Sequence, residues 1–304
     1  MGIFLFLTEK PVKDRKINRR GQGPEEYVRA NEIALDEAHG EIFINSEASH
    51  KILVYDLYGT FKRCLSFSKD VSYTYIFDYD KDNLIGYDMS DYYKKGEDRG
   101  KAYHVIISKQ DGSITREIFI PFKTINTPMV RNGDSFMTGF NCQIRSSHGK
   151  WILMDTSSDT LYNYTPDGKL TPFIVRTPSA YTMEPEVFLY MGTYTYRYYF
   201  METMINKFNF EKSSGFYGDV LMYDKEENAI FQPVVYNDDY AETCTGAMIS
   251  RFFNQEIESS TTLDAYRLVE NYKQGKLKDG KLKNIAAKLS EEDNPVIMLT
   301  KQKK

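Results

Sequence analysis

Apolar positions along this chain fall into short runs, parted by polar clusters that carry Gly, Asn or Asp. Two such groups align without a gap. EIFINSEASHKILVYDLYGTFKR (41–63) lies over KWILMDTSSDTLYNYTPDGKLTP (150–172). Ile42 falls on Trp151, Ile44 on Leu153, Ile52 on Leu161, Tyr55 on Tyr164 and Gly59 on Gly168. HVIISKQDGSITRE (104–117) repeats the second half of the unit and places Gly112 on Gly59. LMYDKEENAIF (221–231) is a looser copy, with Asn228 near the glycine position. The successive intervals Gly59 to Gly112, Gly112 to Gly168 and Gly168 to Asn228 are 53, 56 and 60 residues, a repeat with loops of variable length.

Each unit reads as an apolar strand, a polar link, a second apolar strand, a tight turn and a third strand. The runs are rich in Ile, Val, Tyr and Phe, which suit a pleated, half-buried surface. The turns LYG, QDG, PDG and KEEN end in Gly or Asn, residues that accept the positive φ a tight hairpin demands. Antiparallel sheets recurring about every 55 residues predict an all-β fold, a β-propeller whose blades surround a channel. The length of 304 residues holds five to six such units in a single propeller domain, 1–304.

The last 45 residues change character. TTLDAYRLVENYKQ (261–274) carries Leu263, Tyr266, Leu268 and Val269 on one stripe, with Thr261 or Thr262 as the capping residue. GKLKNIAAKLS (280–290) spaces Leu282, Ile285, Ala286 and Leu289 helically. Together they predict a small helical decoration over about 261–290. Asn294-Pro295 ends it, and VIMLT (296–300) reads as a strand that closes the ring, over about 295–301. Pairing that strand with the N-terminal blade would cover a sheet edge.

RRGQGPEEY (19–27) packs two glycines and a proline into four residues. No Gly-Lys-Ser/Thr follows, so it is no phosphate cradle, and the third glycine of a dinucleotide fingerprint is missing. It reads as a tight link between blades, with Gly21 and Gly23 for sharp turns and Pro24 to fix φ. A second role, compatible with the first, puts Arg20, Gln22, Glu26 and Tyr27 at the channel mouth as ligand-binding groups.

Here the chain resembles a known family. RRGQGPEEY is similar to the G-x-G-P-x-E-Y signature of six-bladed β-propeller proteins of gut Bacteroidota, a family of unknown function. EEDNPVIML resembles that family's closing segment, and KILVYDLYGTFKR its NHL-like blade strands. The resemblance spans about residues 12–302. It implies a six-bladed propeller, exported and often lipid-anchored through a cysteine, hence periplasmic or associated with the outer membrane. The first cysteine is Cys64, and GIFLFL (2–7) lacks the layout of an export signal, so export would need a leader outside these 304 residues. Glu25 stands where the family usually has glycine; a positive φ there would cost about 1 kcal/mol or more.

Composition narrows the function classes. Net charge −4 and a pI near 5.7 argue against a nucleic-acid partner. No apolar run reaches the roughly 18 residues of a membrane span. Hydrophobic residues at 41% support a large core. Cys64, Cys142 and Cys244 form no C-x-x-C and read as buried thiols. His39, His50, His104 and His148 are unpaired at helical spacing. No G-x-S-x-G marks a nucleophilic serine. DYDKDN (78–83) begins like a calcium loop but has Asn83 and Met89 where glycine and glutamate belong, so it reads as a hairpin tip. No cofactor or metal is expected.

The aromatic peak is YMGTYTYRYYF (190–200), read as one strand with Tyr194, Tyr196, Tyr198 and Phe200 on one face and Arg197 on the other. Core packing and ligand stacking are both open to those rings. NCQIR (141–145) places Asn141 and Arg145 toward the channel or a loop. The expected function is non-enzymatic binding of a glycan, peptide or protein in the cell envelope, by a monomer, through Arg20, Gln22, Glu26, Tyr27, Asn141, Arg145, Tyr196 and Arg197. A hydrolase or lyase acting in the channel on a carbohydrate or similar small molecule is the alternative, since fold does not fix function.

Overall fold

The computed structural model describes residues 3–4, 16–147, 149–242 and 259–300. The chain divides into two compact units, Met1–Thr127 and Pro128–Lys304. In the first, β1 (Ile3–Phe4) and β2 (Lys16–Ile17) form a minimal antiparallel pair. Then β3 (Glu32–Asp36), β4 (Glu41–Ser46), β5 (Lys51–Asp56) and β6 (Phe61–Ser66) follow one another as a four-stranded antiparallel sheet in chain order. A second such sheet joins β7 (Tyr73–Asp78), β8 (Asn83–Asp88), β9 (His104–Ser108) and β10 (Ile114–Ile118).

Alternation of side chains across the pleat explains why the runs are continuously apolar rather than alternating. On β4 and β5, Phe43, Ile52 and Val54 face the second sheet and pack with Tyr73, Ile76, Leu84, Val105 and Ile107. Ile42, Ile44, Leu53 and Tyr55 face the other way and pack with Tyr27. Both faces of the sheet are therefore buried. Each fully buried Ile, Leu or Phe contributes roughly 1.5–3 kcal/mol.

In the second unit, β11 (Met129–Asn132) and β12 (Ser135–Thr138) make a hairpin. A four-stranded sheet follows in chain order: β13 (Cys142–Ser147), β14 (Lys150–Asp155), β15 (Thr160–Tyr164) and β16 (Leu170–Val175). The next sheet begins with β17 (Val187–Tyr194) and β18 (Tyr198–Ile205). A small hairpin, β19 (Phe208–Asn209) and β20 (Ser214–Gly215), interrupts it before β21 (Val220–Asp224) and β22 (Ala229–Phe231) complete the order β17-β18-β21-β22. Ile152, Met154, Leu161, Phe188, Tyr190 and Met201 form the core between these two sheets.

The repeat read from the sequence is the repeat of the structure. Strands β5, β9, β15 and β21 start at 51, 104, 160 and 220, each followed by its turn and an outer strand. Gly59, Gly112 and Gly168 have φ of 85°, 80° and 86°, and Asn228 takes φ 50° at the same place. DYDKDN is a hairpin tip between β7 and β8, as expected, with the Asp80 carboxylate accepting from the backbone N–H of Asp82 and of Asn83.

The strand VIMLT (296–300) forms as expected, but among the described residues it pairs with 259–263 and not with the N-terminal blade. Three further expectations need correction. The aromatic run is not one strand. β17 ends at Tyr194, residues 195–197 turn, and β18 starts at Tyr198, because Thr195 N–H donates to the Tyr198 carbonyl and its hydroxyl accepts from the Tyr198 N–H. The C-terminal helix begins later than the threonines. Thr261 and Thr262 lie in β23 (Ser259–Leu263), paired residue by residue with β24 (Val296–Thr300), and Asp264 is the residue preceding α1 (Ala265–Lys273). Tyr266 consequently leaves the buried stripe, which keeps Leu268 and Val269. Gly275, at φ 67°, ends α1 in a Schellman turn, its N–H bonding Tyr272 while that of Lys276 bonds Asn271. α2 (Lys281–Ala286) buries Leu282 and Ala286 against Leu268 and Leu277. The third correction concerns the thiols: Cys142 is buried, Cys64 only half-buried, and Cys244 lies outside the described residues, as does His148.

Candidate functional site

The turn 19–27 is tied down from inside. Tyr27 N–H donates to the Arg19 carbonyl at 3.0 Å and Gly21 N–H to the Tyr27 carbonyl at 3.1 Å, closing the loop on itself. The Glu26 carboxylate folds back over the glycines and accepts from Gly23 N–H at 2.9 Å. A Cβ on Gly21 would collide with that carboxylate, and one on Gly23 would sit 3.0 Å from it. Neither glycine has a positive φ, and the Glu26 carboxylate lies where a Cβ at either would stand. Glu25 also avoids positive φ, so its replacement of glycine carries no strain, and its carbonyl accepts from Tyr55 Oη at 2.6 Å. Tyr27 is 2% exposed and belongs to the core. Of the four residues singled out here, Arg20 and Gln22 face solvent, while Glu26 and Tyr27 hold the turn.

In the second unit, Tyr196 and Arg197 come together on the turn between β17 and β18. Tyr196 is 84% exposed. Arg197 below it is committed: its Nε and Nη2 grip the buried Asp224 carboxylate at 2.9 and 2.6 Å, and Nη1 reaches Glu226 at 2.8 Å. This bidentate pair holds the Asp224 carboxyl below the usual carboxylate range. The guanidinium also lies over the Tyr198 ring, 5.1 Å from its centre. Next to Asp224, Lys225 extends its ammonium between three rings, 5.5 Å from Tyr194, 5.2 Å from Tyr196 and 4.8 Å from Tyr199. It donates to the Thr195 carbonyl at 3.1 Å, and burial pushes its pKa down. Tyr194 and Tyr199 stack at 4.8 Å, with Phe173 edge-on to both. Burial raises the Tyr199 hydroxyl to about 12, with Tyr194 and Tyr223 beside it adding to the effect.

The result is a rigid aromatic tip. A packed ring cluster supports one outward-facing tyrosine, braced on one side by an ion pair and on the other by a cation on the rings. It can stack a flat apolar face and supply hydrogen bonds. Asn141 is buried at the start of β13, its carbonyl accepting from Thr156 N–H at 2.9 Å. Arg145 is half-buried on β13 opposite Ile152.

Sequence reasoning missed Lys225 and Asp224 altogether. It also missed a buried ionic network in the first unit. There Lys109 Nζ donates to Asp36 at 2.5 Å, Asp78 at 2.6 Å and the Asp80 carbonyl at 2.7 Å. His39 Nδ1 meets the same Asp36 carboxylate at 2.8 Å. Arg63 binds Glu41 with both Nη atoms and donates to the Lys109 carbonyl. Burial alone would raise Asp36; Lys109 and His39 bring it down to about 2 instead. Among the described residues, no three His, Cys, Asp or Glu side chains converge as metal ligands, and no helix is long and apolar enough to cross a membrane.

Four-stranded antiparallel meanders, buried on both faces and turned at a recurrent Gly or Asn, are the blades of a β-propeller. The chain belongs to the 6-bladed beta-propeller family, whose model matches residues 3–258. The helices and β24, with the EEDNPVIML segment, lie beyond that match. A Bacteroides fragilis protein thought to be exported has a similar structure over 95% of this chain and 81% of its own, with 16% identity and a TM-score of 0.57. A member of the duf4221 family from Bacteroides vulgatus is 10% identical, over 71% of this chain and 69% of its own, with a TM-score of 0.46. At 16% identity the first likeness is one of fold. No curated protein sequence matches the chain.

Proposed function

We propose that this protein is a non-enzymatic binding propeller of the cell envelope, and that its ligand, a glycan, peptide or protein surface, seats on the Tyr196 tip. The observation that carries the reading is a large tyrosine held 84% in solvent on a turn beside Arg197, gripped by Asp224, and Lys225, whose ammonium lies over its ring. Leaving such a ring exposed gains nothing for folding, whereas a preorganised ring loses little entropy when a partner covers it. Arg197 acts as a positioning residue, because its charge is spent on Asp224 and Glu226. The protein works as a monomer at the envelope.

A panel of glycans and peptides screened by thermal shift tests the reading. A ligand at 100 times its dissociation constant adds about 2.7 kcal/mol of stability. Tyr196→Ala should leave the unliganded melting temperature unchanged and weaken the ligand roughly tenfold or more. Full binding by Tyr196→Ala would remove the tip from the site. Fractionation of cells expressing the gene from its own locus tests the envelope assignment, which recovery in the cytosol would refute.

A further inference from the structure

A cavity of about 370 Å³ lies within the second unit, at the start of α1 and well apart in sequence from the Tyr196 turn. Its frame is fixed by main-chain bonds: Tyr240 bridges Leu277, Ala241 N–H donates to the Lys276 carbonyl at 2.8 Å, and Lys278 N–H donates to that of Asp239 at 2.8 Å. Its apolar lining is Leu263 and Leu268, which also belong to the small core shared by the helices. Among the described residues, four charges share the lining: Glu242 and Asp264, Arg267 and Lys276. Asp264 and Arg267 meet at 3.6 Å and offset one another. Glu242 and Lys276 form no ion pair among the described residues.

We infer that this cavity binds a small zwitterion of the α-amino-acid class with an apolar side chain. Its ammonium group meets Glu242, its carboxylate meets Lys276, and its side chain covers Leu263 and Leu268. Charge decides the class. A neutral polyol would desolvate two charges and return none. A pure anion would face Glu242 as well as Lys276, and a pure cation the reverse. Only a ligand carrying both signs satisfies both groups, and the volume lies in the range of small-molecule sites.

Isothermal titration of the full chain with L-leucine tests this, with N-acetyl-L-leucine and L-leucinamide as probes that each lack one charge. L-leucine should bind, and each blocked form should bind roughly tenfold more weakly or worse. Glu242→Gln and Lys276→Met should each weaken L-leucine by a similar factor. Both side chains are exposed, and melting curves verify that the variants fold. Tyr196→Ala should leave L-leucine binding unchanged, which separates this site from the proposed function. No binding of L-leucine at concentrations on the order of 10 mM, equal binding of the blocked forms, or indifference to both charge variants would overturn the inference.

Discussion

Lys109 and Lys225 occupy the same place in the repeat, three residues before the turn residues Gly112 and Asn228, and meet opposite surroundings. Lys109 is buried among two carboxylates and a carbonyl, whereas Lys225 lies half-buried over tyrosine rings with one carbonyl. Removing a partner from a buried ion pair leaves a charge without compensation, at a cost of about 3–5 kcal/mol. Lys109→Met should therefore cost about that much in urea unfolding, because Asp36 is left buried with only His39 against it. Lys225→Met trades a cation on rings for an apolar chain and should cost about 1 kcal/mol or less. Equal losses would mean that the Lys109 network contributes no more than a surface pair. The sequence showed neither environment. Both depend on which strand ends the sheets bring together: the tip after β17 beside the end of β21, and the end of β3 beside the turn after β9. The aromatic peak did mark Tyr196 and Arg197, because a dense ring cluster is visible without knowing its partners.

The turns were legible because positive φ is a local demand. A glycine or asparagine at a fixed offset from apolar runs announces it before any contact is known. Gly112→Ala should cost about 2 kcal/mol, since φ 80° is strained for alanine and its Cβ would press 3.0 Å from that of buried Leu65. Asn228→Gly relieves the same strain at φ 50° and should be neutral or stabilising by under about 1 kcal/mol. Unfolding midpoints of the two variants check both, and destabilisation by Asn228→Gly would show that the Tyr223 hydroxyl bond to Asn228 outweighs the backbone. Elements whose limits depend on distant partners were read less well. The run 190–200 alternates like a strand, yet the Arg197–Asp224 pair helps fix a turn inside it. Thr261 and Thr262 look like caps in isolation, and the pairing of β23 with β24 makes them strand residues.

At the scale of the whole molecule, acid should act in two stages. His104 is fully buried in β9, its ring edge-on to Tyr87, and its Nε2 has no hydrogen-bond partner among the described residues. Burial drives its pKa from 6.5 down to about 3. The folded protein thus keeps His104 neutral where the unfolded chain is already protonated. Its contribution to stability is complete above the unfolded value and is lost as pH falls from about 6.5 toward 3. The loss comes to roughly 2 kcal/mol at pH 5 and on the order of 4–5 kcal/mol by pH 3. Glu41 is held at about 2 chiefly by Arg63, and Asp36 at about 2 by Lys109 and His39 against its burial. Their contributions stand above the ordinary carboxylate range and disappear only as pH falls through it toward 2. Stability against urea should then decline first between pH 6.5 and 4.5, chiefly from the histidine and opposed by Asp78 and Glu202, whose carboxyls burial raises, and more steeply below 4. His104→Leu removes the titrating group and the unpartnered nitrogen together, so it should flatten the upper limb and leave the lower one. An upper limb of the same slope in His104→Leu would assign it to other groups and place His104 in an environment that water reaches.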